Sequence, residues 1–186
     1  MVVVDPIDGS LNAKRGIPFF SLSIAVADGA TMDDVVFGYV YDFGTGEEWT
    51  AERGEGACTE RRARSATCCR RTRSRSSRFE ATLTSSVAEK AARWSGIAHR
   101  LRIMGSLAIS LCHLAAGRVD AVCSLKGARS VDIAAAQLLV RERGLAIDLP
   151  EAPPFGAAPL DTEGRSRVVA ARRRRSCART VRRASS

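Results

Sequence analysis

The sequence predicts a layered α/β (or α+β) fold, and three observations carry that reading. Short apolar, β-branched runs recur in the first sixty residues and are separated by glycine-rich turns. Two later stretches show helical spacing of apolar residues and end at Gly117 and Gly144. Strands and helices then mix without strict alternation, which calls for packed layers rather than a closed barrel.

Val2 to Val4 is an all-valine run that reads as a buried strand, ending in the turn-forming cluster Asp5-Pro6-Ile7-Asp8-Gly9-Ser10. Phe19 to Val26, Val35 to Tyr41 and Glu47 to Ala51 follow as strands, linked by Asp28-Gly29 and Gly44-Thr45-Gly46 and closed by Arg53-Gly54-Glu55-Gly56. These three predict an antiparallel meander. Val87 to Ala98 reads as helical. Ser106 to Ala116 is a helix, with Leu107, Leu111 and Leu114 on one side, and Val119 to Leu125 is a strand. Asp132 stands at the start of a second helix, Ile133 to Arg143. Ala146 to Leu149 and Arg167 to Ala171 are the last strands, with a loop over Pro150 to Pro159.

The 186 residues suit one domain with a real core. No apolar run approaches the ~20 residues that span a bilayer, and Met1 to Asp5 has neither a basic n-region nor a cleavage site. A cytoplasmic location with no membrane partner is the expectation. The net charge of +9 sits in two tracts. Arg61 to Arg78 holds eight arginines and no acid, and Arg172 to Ser186 holds seven more. Setting those fifteen aside leaves 14 basic residues against 20 acidic ones, so the remaining chain is mildly acidic. A nucleic-acid-binding surface is not supported. The expected division is therefore a domain over 1–171 interrupted by an arginine-rich insert at 61–78, and a basic tail at 172–186, both tracts lacking stable packing. Of the six cysteines, Cys112 and Cys123 lie in apolar runs and read as buried, inert thiols. No zinc spacing or disulfide framework is present.

Asp5 and Asp8 flank Pro6-Ile7, and two carboxylates three residues apart in a turn can converge on a hard divalent cation. Gly9 frees the backbone to aim amides at an anion. Taken alone, the stretch reads equally well as a plain turn. Asp132 likewise reads either as a helix N-cap or as a third carboxylate beside a metal cluster.

The flanking residues decide between these readings. Asp5-Pro6-Ile7-Asp8-Gly9-Ser10, with Asn12 and Gly16-Ile17-Pro18-Phe19-Phe20 after it, resembles the first hallmark of the inositol monophosphatase superfamily. Val131-Asp132-Ile133-Ala134-Ala135-Ala136, followed by Leu138-Leu139-Val140-Arg141-Glu142, resembles the second. Gly105-Ser106 and the segment Ala115 to Ala121 resemble the connecting block between them. Val131, where eukaryotic members usually carry Trp, and Leu125-Lys126-Gly127 resemble the archaeal-type branch, whose members often hydrolyse both inositol phosphates and fructose 1,6-bisphosphate.

The resemblance implies an α-β-α-β-α sugar-phosphatase fold and a Mg²⁺-dependent phosphomonoester hydrolase, with two or more ions. It implies Asp5, the Ile7 carbonyl, Asp8 and Asp132 as metal ligands, and Gly9 and Ser10 as the phosphate cradle. The Ser10 hydroxyl would stand near the attacking water, and Gly105 and Ser106 would line the sugar side. Small sugar or inositol phosphates are the implied substrates, and a second copy of the chain is a candidate partner because members are often dimers. A 3′(2′),5′-bisphosphate nucleotidase-type activity is the alternative, as is a non-catalytic fragment binding nucleic acid through its arginine tracts. Two departures stand out. The family carries a Glu upstream of the first hallmark, in a helical region that would precede Met1, so the chain reads as an N-terminally truncated and impaired copy. Glu47, Glu48, Glu52 and Glu55 belong to the meander and do not replace it. The arginine tracts, abrupt and without aromatics for base stacking, resemble a coding frame read out of register. His99 and His113 lie away from the motifs and read as structural.

Overall fold

The computed structural model describes residues 1–61, 76–80, 84–91, 98–151 and 154–172. Its first sheet is an antiparallel meander of five strands in chain order: β1 (Val2–Asp8), β2 (Ser21–Ala27), β3 (Val35–Asp42), β4 (Glu47–Glu52) and β5 (Gly56–Arg61). Strand alternation sets the inner face. In β2 the buried residues are Ser21, Ser23, Ala25 and Ala27, all small, while Leu22, Ile24 and Val26 are half-buried on the other side.

Small inward residues leave room for a helix to come close. Helix α4 (Ser130–Glu142) lies across this face, and its Ala134-Ala135-Ala136 run meets Gly38 of β3. A Cβ on Gly38 would sit 2.6 Å from the Ala135 carbonyl oxygen, so only glycine permits that approach. Helix α3 (Leu107–Ala115) packs beside α4, and both are buried on nearly every side. Helices apolar all round belong in the interior.

The second sheet closes the other side of the helix pair. Its order is β7 (Arg100–Arg102), β6 (Ser76–Glu80), β8 (Ala121–Ser124), β10 (Val169–Ala171) and β9 (Ala146–Asp148). β6 runs parallel to β7 and β8, whereas β10 is antiparallel to β8 and β9. Val169, Ala170 and Ala171 are all fully buried, as expected for a strand covered on both faces. Ala170 joins the main core, while Val169 and Ala171 face a smaller cluster with Cys123, Leu125 and Val87 of α2 (Thr84–Ala91). The described residues thus stack sheet, helix pair, sheet and helix, in keeping with the α/β layering expected. Val2 and Val4 of β1 are 63% and 45% exposed, on the strand side opposite buried Val3 and Asp5.

The structure changes several sequence expectations. The meander has five strands, because β1 and β5 pair onto its ends. The Asp5–Asp8 cluster is not a turn but the end of β1, and Pro6 is tolerated there because β1 is an edge strand. Of the span 61–78, expected to lack stable packing, Arg61 belongs to β5 and residues 76–78 to β6. Residues 62–75, 92–97 and 173–186 lie outside the described residues, and with them the rest of both arginine tracts and the end of the helix expected over 87–98. Cys112 and Cys123 are buried free thiols, and burial pushes the Cys112 thiol up. No helix among the described residues is long and apolar enough to cross a membrane.

Candidate functional site

In a regular strand Asp5 and Asp8, three residues apart, would face opposite sides. β1 avoids this with an irregularity in its pairing. Asp5 lies opposite Ser23 and Asp8 opposite Ser21, so three steps on β1 match two on β2. The extra residue is a β-bulge, and it returns Asp8 to the face Asp5 already occupies. The Ile7 amide donates to Asp5 Oδ1 at 3.1 Å, within the bulge, and the Ile7 side chain is exposed.

Asp8 is then held by the start of α3. Ser106 Oγ donates to Asp8 Oδ2 at 2.6 Å, and the Ala108 amide donates to the same oxygen at 2.8 Å. Ser106 is the N-cap of α3, its hydroxyl also accepting from the Ile109 amide, so Asp8 sits at the helix's positive end. Burial pushes the Asp8 carboxyl up to about 7; these two hydrogen bonds oppose that shift, while Asp5 and Asp132 add to it. Ser106 itself is fully buried. It has no surface to offer a sugar, so the expectation that it lines the substrate side is corrected: it orients Asp8. Gly105, one residue earlier, is exposed.

Gly9 begins the short helix α1 (Ser10–Lys14) with φ 86°, a left-handed conformation that favours glycine. A Cβ there would also sit 3.0 Å from the Phe19 carbonyl oxygen and 3.1 Å from that of Gly105. Asn12 fastens these segments together, its Nδ2 donating to the carbonyls of Phe19 at 2.8 Å and Met104 at 2.6 Å. Ser10, the first residue of α1, is exposed.

Asp132 joins from α4, although not as the N-cap. Arg129 caps the helix, and Asp132 is the third helical residue, its Oδ2 accepting from the Arg129 amide at 2.9 Å. Its Oδ1 accepts from Arg129 Nε and Nη2 at 3.2 and 2.9 Å, and the same Nη2 lies 4.0 Å from Asp5 Oδ2. Burial, then the nearby Asp132, raise the Asp5 carboxyl above its ordinary value. The structure therefore brings Asp5, Asp8 and Asp132 into mutual electrostatic range at one end of α4. Arg129 escaped the sequence reading; a basic residue three before Asp132 was the available signal.

A second acidic group lies elsewhere. Asp42, Glu47 and His113 place their ligand atoms within 4.8 Å of one another, a spacing that Asp5, Asp8 and Asp132 do not meet. Its atoms are already engaged. Arg118 donates to both Glu47 oxygens at 2.6 and 2.7 Å and lies 3.1 Å from His113 Nε2. Asp42 accepts from the amides of Gly44 and Thr45 and from the Thr45 hydroxyl. The wider Asp5–Asp8–Asp132 set suits a cation that keeps its waters, or two cations ~3.5–4 Å apart. Three carboxylates with, among the described residues, one cationic neighbour fit magnesium in kind.

Comparison with known proteins gives the family of the chain. The family model described as "Inositol monophosphatase family" matches residues 1–184. A fructose-1,6-bisphosphatase/inositol-1-monophosphatase of Methanothermobacter thermautotrophicus is 39% identical over 153 residues, covering 76% of this chain and 52% of that protein. Human inositol monophosphatase 2 is 32% identical over 177 residues, covering 91% and 58%. The crystal structure of the extragenic suppressor protein SuhB from Bartonella henselae superposes with a TM-score of 0.74 at 27% identity, covering all of this chain and 72% of that one. The chain thus spans about half the length of the curated relatives it matches. A family model matching nearly end to end, on a fold shared with a solved relative, places the chain in the inositol monophosphatase family.

Proposed function

We propose that the chain carries the catalytic centre of a Mg²⁺-dependent phosphomonoester hydrolase acting on inositol monophosphate, fructose 1,6-bisphosphate or both. The observation that supports this most is the meeting of Asp5, Asp8 and Asp132, drawn from β1 and α4, beside the glycine loop that Asn12 fastens.

Asp5, Asp8, Asp132 and the Ile7 carbonyl would hold the ions. Bound Mg²⁺ supplies an activated water and neutralises charge on the leaving oxygen. The chain's own residues prepare for this. Ser106 and the Ala108 amide hydrogen-bond the ionised form of Asp8 and so favour it. Gly9 and Ser10 would hold the substrate phosphate, with the Ser10 hydroxyl directed to the attacking water. Exposed Gly105, against which Gly9 packs, would border the sugar. No nucleophilic side chain is required.

Phosphate release from inositol 1-phosphate, fructose 1,6-bisphosphate and a 3′-phosphoadenosine compound tests the reading. Turnover on the first two should need Mg²⁺ and vanish with EDTA and with Asp132→Asn. Release that ignores EDTA or the Asp132 substitution would remove the metal mechanism, and preference for the nucleotide would replace the substrate class.

A further inference from the structure

We propose that Arg129 is a built-in counter-cation of the carboxylate site: it ties Asp132 to Asp5 when no divalent cation is bound, and it competes with that cation for them. The inference rests on reading Asp5, Asp8 and Asp132 as the cation site.

The geometry argues for a role beyond helix capping. N-cap positions favour Ser, Thr, Asp and Asn, whose oxygens accept from the first-turn amides. Arginine has no acceptor in its side chain. A positive charge at the N-terminus of a helix also opposes the helix dipole. Arg129 is therefore a poor choice for starting α4, and the helix does not account for it. The carboxylates do. Its Nε and Nη2 both donate to Asp132 Oδ1, its amide donates to Asp132 Oδ2, and Nη2 stands 4.0 Å from Asp5 Oδ2. Asp5 and Asp8 also favour its charged form.

The guanidinium is positioned to give way. Its side chain is 43% exposed, against 9% for Asp5, so it can swing into water without losing a buried cavity. Asp132 would keep the bond from the Arg129 amide, which fixes its carboxylate whichever cation is present.

A positioning residue and a competitor differ in the sign of their effect. If Arg129 only oriented Asp132, removing its side chain would weaken cation binding and stability together. As a competing counter-charge, its removal weakens the cation-free protein yet tightens the cation. The charge lies a few ångströms from the bound ion, and solvent and salt screen it, so the affinity gain should be roughly three- to tenfold at ~0.1 M salt.

The test uses the full chain and Mn²⁺ alone, followed by loss of the free-ion electron paramagnetic resonance signal, with Mg²⁺ as competitor and melting curves in EDTA. Arg129→Gln should bind Mn²⁺ three- to tenfold more tightly than wild type while melting lower in EDTA. Arg129→Lys keeps the charge and loses the fork, and should stay within about twofold of wild type. Wild-type binding with Arg129→Gln equal or weaker overturns the counter-cation role alone. So does Arg129→Lys binding Mn²⁺ threefold or more tightly than wild type, since charge would then not be the cause; this arm stands even if the Gln variant does not fold. Absence of Mn²⁺ binding in wild type, Arg129→Gln and Asp132→Asn alike overturns the cation site itself, and the proposal with it.

Discussion

Two acidic clusters lie on the same side of one sheet, and they are built on opposite principles. Around Glu47, charge is cancelled: Arg118 grips both carboxylate oxygens, lies over the Trp49 ring and reaches His113, while Asp42 is closed off by its own turn. Around Asp8, charge is left over. Among the described residues three carboxylates share one guanidinium, and Asp5 and Asp8 are both held above their ordinary values. Tight spacing alone would point to the Glu47 cluster as the metal site. The balance of charge points to the other, because an unfilled electrostatic demand is what a divalent cation satisfies.

The widest gap between the clusters should appear on neutralising one carboxylate in each. Asp8→Asn keeps an acceptor for Ser106 and Ala108 but removes a buried charge. Turnover with Mg²⁺ should fall by about 10²–10³, the scale of one lost electrostatic contact in a catalytic site. Melting in EDTA should hold or rise, because a desolvated anion has gone. A variant that melts lower in EDTA would show that Asp8 is structural after all.

Glu47→Gln should do the reverse, leaving Mg²⁺ affinity unchanged and lowering stability. Breaking a buried ion pair from one side strands the partner, and here the expected cost is about 2–4 kcal/mol, reduced because Arg118 keeps a third of its side chain exposed. Chemical denaturation measures it. The double variant Glu47→Met with Arg118→Met should recover part of the loss; a double variant worse than the single would mean the pair has further partners that matter more.

How far the sequence foretold these clusters differs in the same way. The elements around Asp5, Asp8 and Asp132 were legible because hallmark spacing, strand composition and glycine stops are local signals. Their convergence was legible only through the resemblance. The bulge that turns Asp8 to the side of Asp5 depends on register against Ser21 and Ser23, which no local pattern encodes. Asp132 looked like an N-cap because Asp is common there; the true cap, Arg129, breaks that preference. The Glu47–Arg118 pair joins residues 71 apart and left no trace in either neighbourhood. β5, β6 and β7 were missed because exposed residues on the edge strands β5 and β7, and the arginine run before β6, hide the alternation that marks a strand.

Ser106 gives a smaller contrast within the Asp8 cluster. Ser106→Ala removes the α3 cap and one of two donors to Asp8, and should destabilise by about 1–2 kcal/mol. Mg²⁺ affinity should fall several-fold, since the ionised form of Asp8 loses support. Fragile folding with unchanged affinity would reduce Ser106 to a cap.

The smallest effect is the pH response of His113, in the charge-cancelled cluster. Burial, then Arg78 and Arg118, push its pKa from 6.5 down to about 3, so the folded protein keeps the ring neutral. The unfolded chain takes up a proton below about 6.5. Between those values the unfolded state binds more protons, so stability is present above 6.5 and drains away as pH falls toward 3. Asp8 slopes the other way: its folded value of about 7 exceeds the ordinary 3.8, so its contribution grows as pH falls from 7 toward 4. The raw pH curve mixes the two, and only a difference separates them. His113→Gln leaves Asp8 untouched and removes the titrating ring. Unfolding free energies from denaturant curves in EDTA should therefore change less favourably from pH 7 to pH 5 in the wild type than in the variant, by on the order of 1 kcal/mol. Parallel curves would show that His113 takes up its proton within the fold. Arg118 would then have to release the ring, and the Glu47 cluster would no longer be the closed, charge-cancelled partner in this comparison.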